Sequence, residues 1–424
     1  MQESILVIDT GPVIYCANTS GVSFSYPDLQ SFDRTAQAIV SHCALLYPGL
    51  DHQLILEEPF DQALLAYFQE LGLSIPELHV VDCDISQASA CEQERIAQIF
   101  KCFPEHEIDA YIIDESISTL AQRTGHTLKN SSQVIRQAND KYWLTQTVRA
   151  CELPSFDTHL VYSHEDILYA LYDLKKKGYA LATIRLRFGY GGKGAYIDAI
   201  DTWVKQFTAV SIPQDGLLVQ GWLDGSFAQV RVVGSPSFFV LLDSTGVQIV
   251  GASEQVFAGQ AMHSGNTYPS QLLTADPAIM HEAERQINAI GTQLIANGYK
   301  GYMGVDVHVV DRSGDMHVYV CDINGRLIAA TPAIVLNGHF SQFRNHWFSY
   351  KTVFQKPIAS EQLLALLRTA GLLFDAQCST GIMPILFTHN AAGLVIGGRF
   401  VVYHQTAHGV RLLLDSFRGL FAPG

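Results

Sequence analysis

The chain has 424 residues (46.7 kDa), enough for two or three domains, and its 48% apolar and 16% charged residues describe a well-buried globular protein with a sparsely charged surface. Lys and Arg number 27 against 41 Asp and Glu, a formal net charge of -14 that repels nucleic acid at long range. Any bound phosphates therefore need local cations, so the placement of the few basic residues is informative. Eight cysteines without C-x-x-C spacing read as buried thiols of a reducing compartment, not as zinc ligands or a disulfide framework. The N-terminal MQESILVIDT lacks a basic leader region, and no apolar run reaches the roughly 18 residues of a membrane span, so a cytoplasmic protein is expected.

Over residues 1–135 short apolar strands (5–9, 53–56, 78–81, 110–113) alternate with helices (33–47, 59–72, 92–103). That alternation predicts a small parallel sheet covered on both faces. No G-x-G-x-x-G follows the first strand. Asp9, Asp114 and Glu115 stand at strand ends and read as solvated acids.

Residues 132–150 have helical spacing, with Lys141 inside the helix, and Pro154 breaks the chain before a new unit. From about 155 to 218 the pattern is a small α+β lid, with a helix at 165–177 and strands at 180–186 and 195–197. Between the two strands lies Arg187-Phe-Gly-Tyr-Gly-Gly-Lys-Gly194. So many glycines cost chain entropy unless something must approach the backbone closely, and exposed amides of such a loop form an anion nest. Gly191, Gly192 and the cation of Lys193 thus read as a phosphate cradle, although Gly194 after Lys193 departs from the P-loop pattern. Arg185 and Arg187, two positions apart, are expected to face the same way. Trp222, in a turn-ended strand at 217–225, reads first as an apolar wall. Strands at 229–233 and 238–242, a polar Gly-rich loop at 258–269 expected to border an acceptor-substrate site, and a helix opened by Asp276-Pro277 follow.

Residues 301–332 read as a hairpin: a β-branched strand, a turn at 311–315 and a second strand. Asp306 is on the first strand and Asp322 and Asn324 share one face of the second, so three hard oxygen ligands can converge. Two carboxylates held close repel, so removing either is expected to leave unliganded stability flat or raised. Arg326 adds a cation beside them. His339 and His346 are seven apart and are not read as a metal pair. Beyond them come a helix capped by Ser360 and ending at Gly371, then strands at 381–387, 393–403 and 410–415, read as a small antiparallel appendage.

Four stretches in this order, over residues 136 to 335, resemble the ATP-grasp enzymes: NDKYW with Lys141, ATIRLRFGYGGKGA, LLVQGWLDG, and Asp306 followed by CDINGR. The resemblance implies an α/β chain, α+β in parts, with the ATP-grasp fold. Its divisions would be an N-terminal parallel-sheet domain (1–135), an ATP-grasp domain (136–350) with its glycine-loop lid, and a C-terminal helix and antiparallel strand extension (351–424). By resemblance Asp306, Asp322 and Asn324 would hold Mg2+. Lys141, Arg185, Arg187, Gly191, Gly192 and Lys193 would hold the phosphates of ATP. Gln220, Gly221, Trp222, Leu223, Asp224 and Cys321 would line the base and ribose. Arg326 and Lys193 would steady the transferred phosphoryl group, and Arg344 would clamp a carboxylate substrate.

The implied activity is ATP-dependent amide formation from a small-molecule carboxylate and an amine, amino-acid or peptide-like, with neither nucleic acid nor membrane as partner and a homodimer left open. GIMPILF and the apolar hairpin after it look similar to the peptide ligases related to the pheganomycin-pathway enzyme. Asp322 stands where Glu is usual, Gly325 where Pro is common, Thr145 for a second lysine, Arg185 for the strand lysine, and Gly221 and Phe227 for acids. These departures keep open a second reading, a nucleotide-binding relative without catalysis.

Overall fold

The computed structural model describes residues 11–18, 51–189, 194–227, 230–258, 262–340 and 346–421. The expected strand at 5–9 and helix at 33–47 lie outside these. The first sheet runs β3-β2-β1-β4, all parallel, from β1 (Val13–Cys16), β2 (Gln53–Leu56), β3 (Glu77–Val80) and β4 (Glu107–Ala110). All residues of β1 and β2 are buried, as a strand covered on both faces requires. The fourth strand begins three residues before the expected position. Asp109 is tolerated inside it because Lys129 pairs with it at 2.9 Å, while Ile112 and Ile113 lie beyond the strand's end and are buried in the core. Asp114 is not a solvated acid. It caps the unexpected helix Glu115–Thr124 by accepting the Ile117 N–H and also accepts the Ser86 hydroxyl, and burial raises its pKa despite these bonds. Cys91, Cys102 and Cys378 are exposed, against the expectation of buried thiols.

The lid sheet is antiparallel, β5-β8-β6-β7, from β5 (Thr158–Val161), β6 (Leu181–Leu186), β7 (Ala195–Ala199) and β8 (Leu217–Trp222). Helix His164–Lys176 covers one face with Ile167, Ala170, Leu171 and Leu174. The third sheet contains β9 (Val230–Gly234), β10 (Pro236–Asp243), β11 (Gly246–Ala258), β12 (Met262–Tyr268), β13 (Gly301–Arg312), β14 (Asp315–Asn324), β15 (His346–Ile358), β16 (Gly381–His389) and β17 (Val395–His404). Its order is β14-β13-β10-β11-β12-β15-β17-β16, with β9 beside β13.

Three expectations are corrected in this sheet. Residues 262–268 form a strand rather than a loop, because pairing with β11 and β15 satisfies their backbone. The late strands are no separate appendage: β17 pairs with β15, with Trp347 opposite Tyr403, and extends the main sheet. Residues 410–415 lie in a helix, Ala407–Leu420, whose Val410, Leu414 and Phe417 are buried at helical spacing. No helix of the described residues is long and apolar enough to cross a membrane.

Ser360 does not cap its helix. Ala359 holds the cap position, and the Ser360 hydroxyl donates to Asp61 Oδ2, which His389 Nε2 also meets at 2.9 Å. Asp61 Oδ1 caps helix Gln62–Glu70 by accepting the Leu64 N–H at 2.8 Å. Burial alone would raise the Asp61 pKa, but the bonds from His389, Ser360 and Leu64 outweigh it and hold the carboxyl below its usual value. A depressed carboxyl contributes stability that is present at neutral pH and is lost as pH falls below about 4 through its folded value. Asp61→Ala is therefore expected to lower unfolding free energy at pH 7 by about 2–4 kcal/mol in urea titrations, through the lost cap and the stranded partners. A loss under about 0.5 kcal/mol would show that this tie between early and late chain carries no weight.

Candidate active site

The helix expected at 132–150 is two helices, Ser132–Ala138 and Lys141–Ala150. Asp140 makes the break. Its Oδ1 accepts the Tyr142 N–H at 2.9 Å, starting the second helix, and Lys141 thereby occupies that helix's first position. Gly325 locks the hairpin end against this junction. Its N–H donates to the Ala138 carbonyl at 3.2 Å, and a Cβ there would stand 2.6 Å from the Ala138 Cβ. A proline could not donate that bond, which accounts for this departure from the usual pattern.

The hairpin of β13 and β14 sets Asp306 directly opposite Asp322, with a register shift just after Asp306. Asn324 Nδ2 approaches Asp306 Oδ2 at 3.4 Å, Lys141 Nζ donates to Asp322 Oδ1 at 2.8 Å, and Arg326 Nη2 donates to Asn324 Oδ1 at 2.8 Å. Burial, and then the charge of Asp322, push the Asp306 carboxyl up to about 6. Burial lowers the pKa of Lys141 despite its bond to Asp322, and lowers that of Arg185.

These groups line one cavity of about 640 Å³ between the lid sheet and the main sheet, a size suited to a nucleotide. From the lid come Thr183, Arg185, Gln220 and Trp222, all four on positions that β6 and β8 set opposite or two apart. From the main sheet come His308, Cys321, Asp306, Asp322 and Asn324, and Arg326 stands at the end of the hairpin. Asp224 lines the cavity while its Oδ1 accepts the Val232 N–H at 3.1 Å. His308 sits edge-on to Phe156 and Trp222, at 6.2 and 5.8 Å. Burial, with Arg185 adding to it, drives the imidazole down to about 4, so it is a neutral wall at pH 7. On the same sheet Ser237 stands opposite Asp306 and bonds its carboxyl, and Ser235 Oγ lies 3.2 Å from His308 Nδ1, while Gln255, His263 and Asn266 line a further polar end. His263 Nε2 lies 2.9 Å from Asn266 Oδ1, and Asn266 Nδ2 donates to Ser253 Oγ.

Several expected residues stand elsewhere. Arg187 does not line the cavity: β6 ends at Leu186, alternation stops there, and the guanidinium makes a two-bond ion pair with Asp140 at 2.7 and 2.5 Å. Gly221 lies behind the lining, its N–H donated to the Asp157 carbonyl and its α-carbon under the Tyr179 ring, where a Cβ would come within 2.4 Å. Leu223 is buried in the lid core. Phe227 packs on Tyr179, at 4.9 Å between centroids. Gly191, Gly192, Lys193 and Arg344 lie outside the described residues. His263 and Asn266 lie in the stretch 258–269 expected to border a substrate site, whereas Ser235, Ser237, Gln255, Phe156, Thr183 and His308 carried no motif. For Thr183, Ser237, Gln255 and His308 the signal was only a polar residue alternating within an apolar strand.

The donor set fits a magnesium nucleotide. The Arg185 Nε is buried without a hydrogen-bond partner, an unmet donor where phosphate oxygens would complete it. Among the described residues no three His, Cys, Asp or Glu side chains assemble a metal cage of their own, so Asp306, Asp322 and Asn324 would hold a cation together with phosphate oxygens.

Residues 138–330 match the family model of the ATP-grasp domain, and the chain has the ATP-grasp fold. Among solved structures it is similar over nearly its whole length to the L-amino acid ligase from Bacillus licheniformis, at 12% identity and TM-score 0.59, covering 96% of this chain and 98% of that one. It is also similar to an N5-carboxyaminoimidazole synthase from Aspergillus clavatus solved with ADP and 5-aminoimidazole ribonucleotide (13% identity, TM-score 0.57, 87% and 98% covered). A third is the biotin carboxylase domain dimer of the Hydrogenobacter thermophilus 2-oxoglutarate carboxylase, solved with MgADP, ADP and bicarbonate (12% identity, TM-score 0.55, 96% and 88% covered). No curated protein sequence matches the chain.

Proposed function

We propose that this protein is an ATP-dependent carboxylate–amine ligase. The observation that carries the reading is the convergence of Asp306, Asp322, Asn324 and Arg326 on one cavity with two cations, the buried Lys141 and the half-buried Arg185. Lys141 and Arg185 would bind the phosphates of ATP, and His308, Trp222 and Gln220 would wall its base. Mg2+ held by Asp306, Asp322 and Asn324 would neutralise charge on the phosphates during transfer. The carboxylate oxygen takes the γ-phosphoryl group, ADP leaves, and the amine nitrogen attacks the acyl phosphate carbon, expels phosphate and gives up one proton to water to leave the amide. Arg326 would hold the transferring group. The two small substrates would occupy the polar end at Gln255, His263 and Asn266, and the narrower kinship with peptide ligases of the pheganomycin kind belongs to this proposal. A cytoplasmic setting suits such chemistry.

ADP release is expected only when Mg-ATP, a carboxylate and an amine are all supplied, read by a coupled ADP assay over an amino-acid panel. A second reading, a nucleotide binder without turnover, is favoured by the Lys141–Asp322 ion pair, which neutralises a metal ligand from within the protein. Saturable Mg-ATP binding without ADP release under any substrate pair would select it.

A further inference from the structure

Arg326 is held by a residue from the other end of the chain. Its Nη1 donates to the Tyr111 hydroxyl at 2.8 Å, across 215 positions, and its guanidinium carbon lies 5.4 Å from the centre of the Tyr111 ring. The other arm, Nη2, is held by Asn324. Apart from the hydroxyl, Nη1 meets the Leu327 carbonyl at only 3.4 Å. A guanidinium is a planar fork, and two bonds on different arms fix both its plane and its rotation. Tyr111 is itself anchored: it follows β4 directly, and its N–H donates to the Cys16 carbonyl of β1 at 2.9 Å. It is half-buried and does not line the cavity, so it touches Arg326 without facing the space a nucleotide would fill.

We propose that Tyr111 is a positioning residue for Arg326, through which the N-terminal parallel sheet aims the guanidinium at the terminal phosphoryl group. Resting on the ligase reading, the inference assigns the N-terminal sheet a role in phosphoryl recognition beyond packing. The hydroxyl accepts from Arg326 and the ring supports the guanidinium face, so the fork is pre-organised before any phosphate arrives. Phe at this position keeps the ring and the packing and removes only the acceptor.

The test is a double-mutant cycle read by calorimetric titration of the full chain with magnesium and either ADP or the β,γ-imido analogue of ATP. The quantity is the ratio of the two affinities, which isolates the terminal phosphoryl group. Tyr111→Phe is expected to lower the analogue's advantage by about 5- to 10-fold, the scale of one ordinary hydrogen bond because the lost bond acts only through the aim of Arg326, with ADP affinity unchanged. Arg326→Gln should remove the advantage, and adding Tyr111→Phe to it should change nothing further. Additive effects in the cycle, or an unchanged ratio in Tyr111→Phe beside a lowered melting temperature, would make Tyr111 a packing residue and overturn the inference alone. A parent protein that binds ADP and the analogue equally would overturn it too. Absence of any nucleotide binding by the parent would instead remove the ligase reading on which it rests.

Discussion

Asp306→Asn and Asp322→Asn are expected to cripple turnover alike and to shift stability in opposite directions. Each removes an oxygen ligand's charge from the phosphoryl-transfer site, so kcat should fall by roughly 10²-fold or more. Their effects without ligand differ because their partners differ. Asp322 carries the buried ammonium of Lys141 at 2.8 Å, so its loss leaves a buried cation beside an amide, at a cost of about 3–5 kcal/mol. Repulsion between the two carboxylates alone would predict flat or raised stability for both. The ion pair reverses that expectation for Asp322.

Asp306 sits at about 6 in the folded protein against about 3.9 in an unfolded chain. A raised carboxyl contributes stability that is full below the unfolded value and is lost as pH rises through the folded one. Above pH 6 the ionised Asp306 therefore costs at most about 3 kcal/mol, which Asp306→Asn removes. Urea unfolding at pH 5 and pH 8 should show the gain of Asp306→Asn growing with pH, while Asp322→Asn is destabilised at both. Equal shifts of the same sign would refute the charge pairing. Retained turnover in both would remove the metal assignment.

Arg185→Met should stabilise the unliganded protein and weaken Mg-ATP binding by about 10- to 10²-fold. Burial disfavours its charge, and its Nε has no partner, so in the protein alone it is a cost. Phosphate oxygens would turn that cost into charge-assisted bonds worth about 1.5–3 kcal/mol. Melting temperature with and without saturating Mg-ATP separates the two effects: the parent should rise strongly, and Arg185→Met should start higher and rise little. Arg185→Lys, which restores the usual residue of the ATP-grasp pattern, should recover part of the rise. An undiminished rise in Arg185→Met would place the phosphates elsewhere.

Much of the candidate site was legible from local rules. Alternation along a strand is a property of neighbouring peptide units, so Asp322 and Asn324 on one face, and Asp306 beside them, followed from the hairpin pattern in 301–324 alone. The alternating strands and helices before residue 111 likewise announced a parallel sheet. Local rules failed where an element ended unannounced. Arg187 lies one residue beyond β6, so the face shared by alternating residues no longer held it, and Asp140 captured it instead.

What only the tertiary structure decided depends on partners far apart in the chain. The meeting of Tyr111 with Arg326, of Lys141 with Asp322, and of Asp61 with Ser360 and His389 leaves no periodic mark in the sequence. The short apolar run at 410–415 suits a strand or a helix equally, and burial of Val410, Leu414 and Phe417 against the main sheet selected the helix. Residues 262–268 look like a polar loop until two neighbouring strands supply their backbone bonds. Local periodicity determined which residues share a face; non-local pairing of charges and of strands decided which faces meet, and with them which partners hold Arg326.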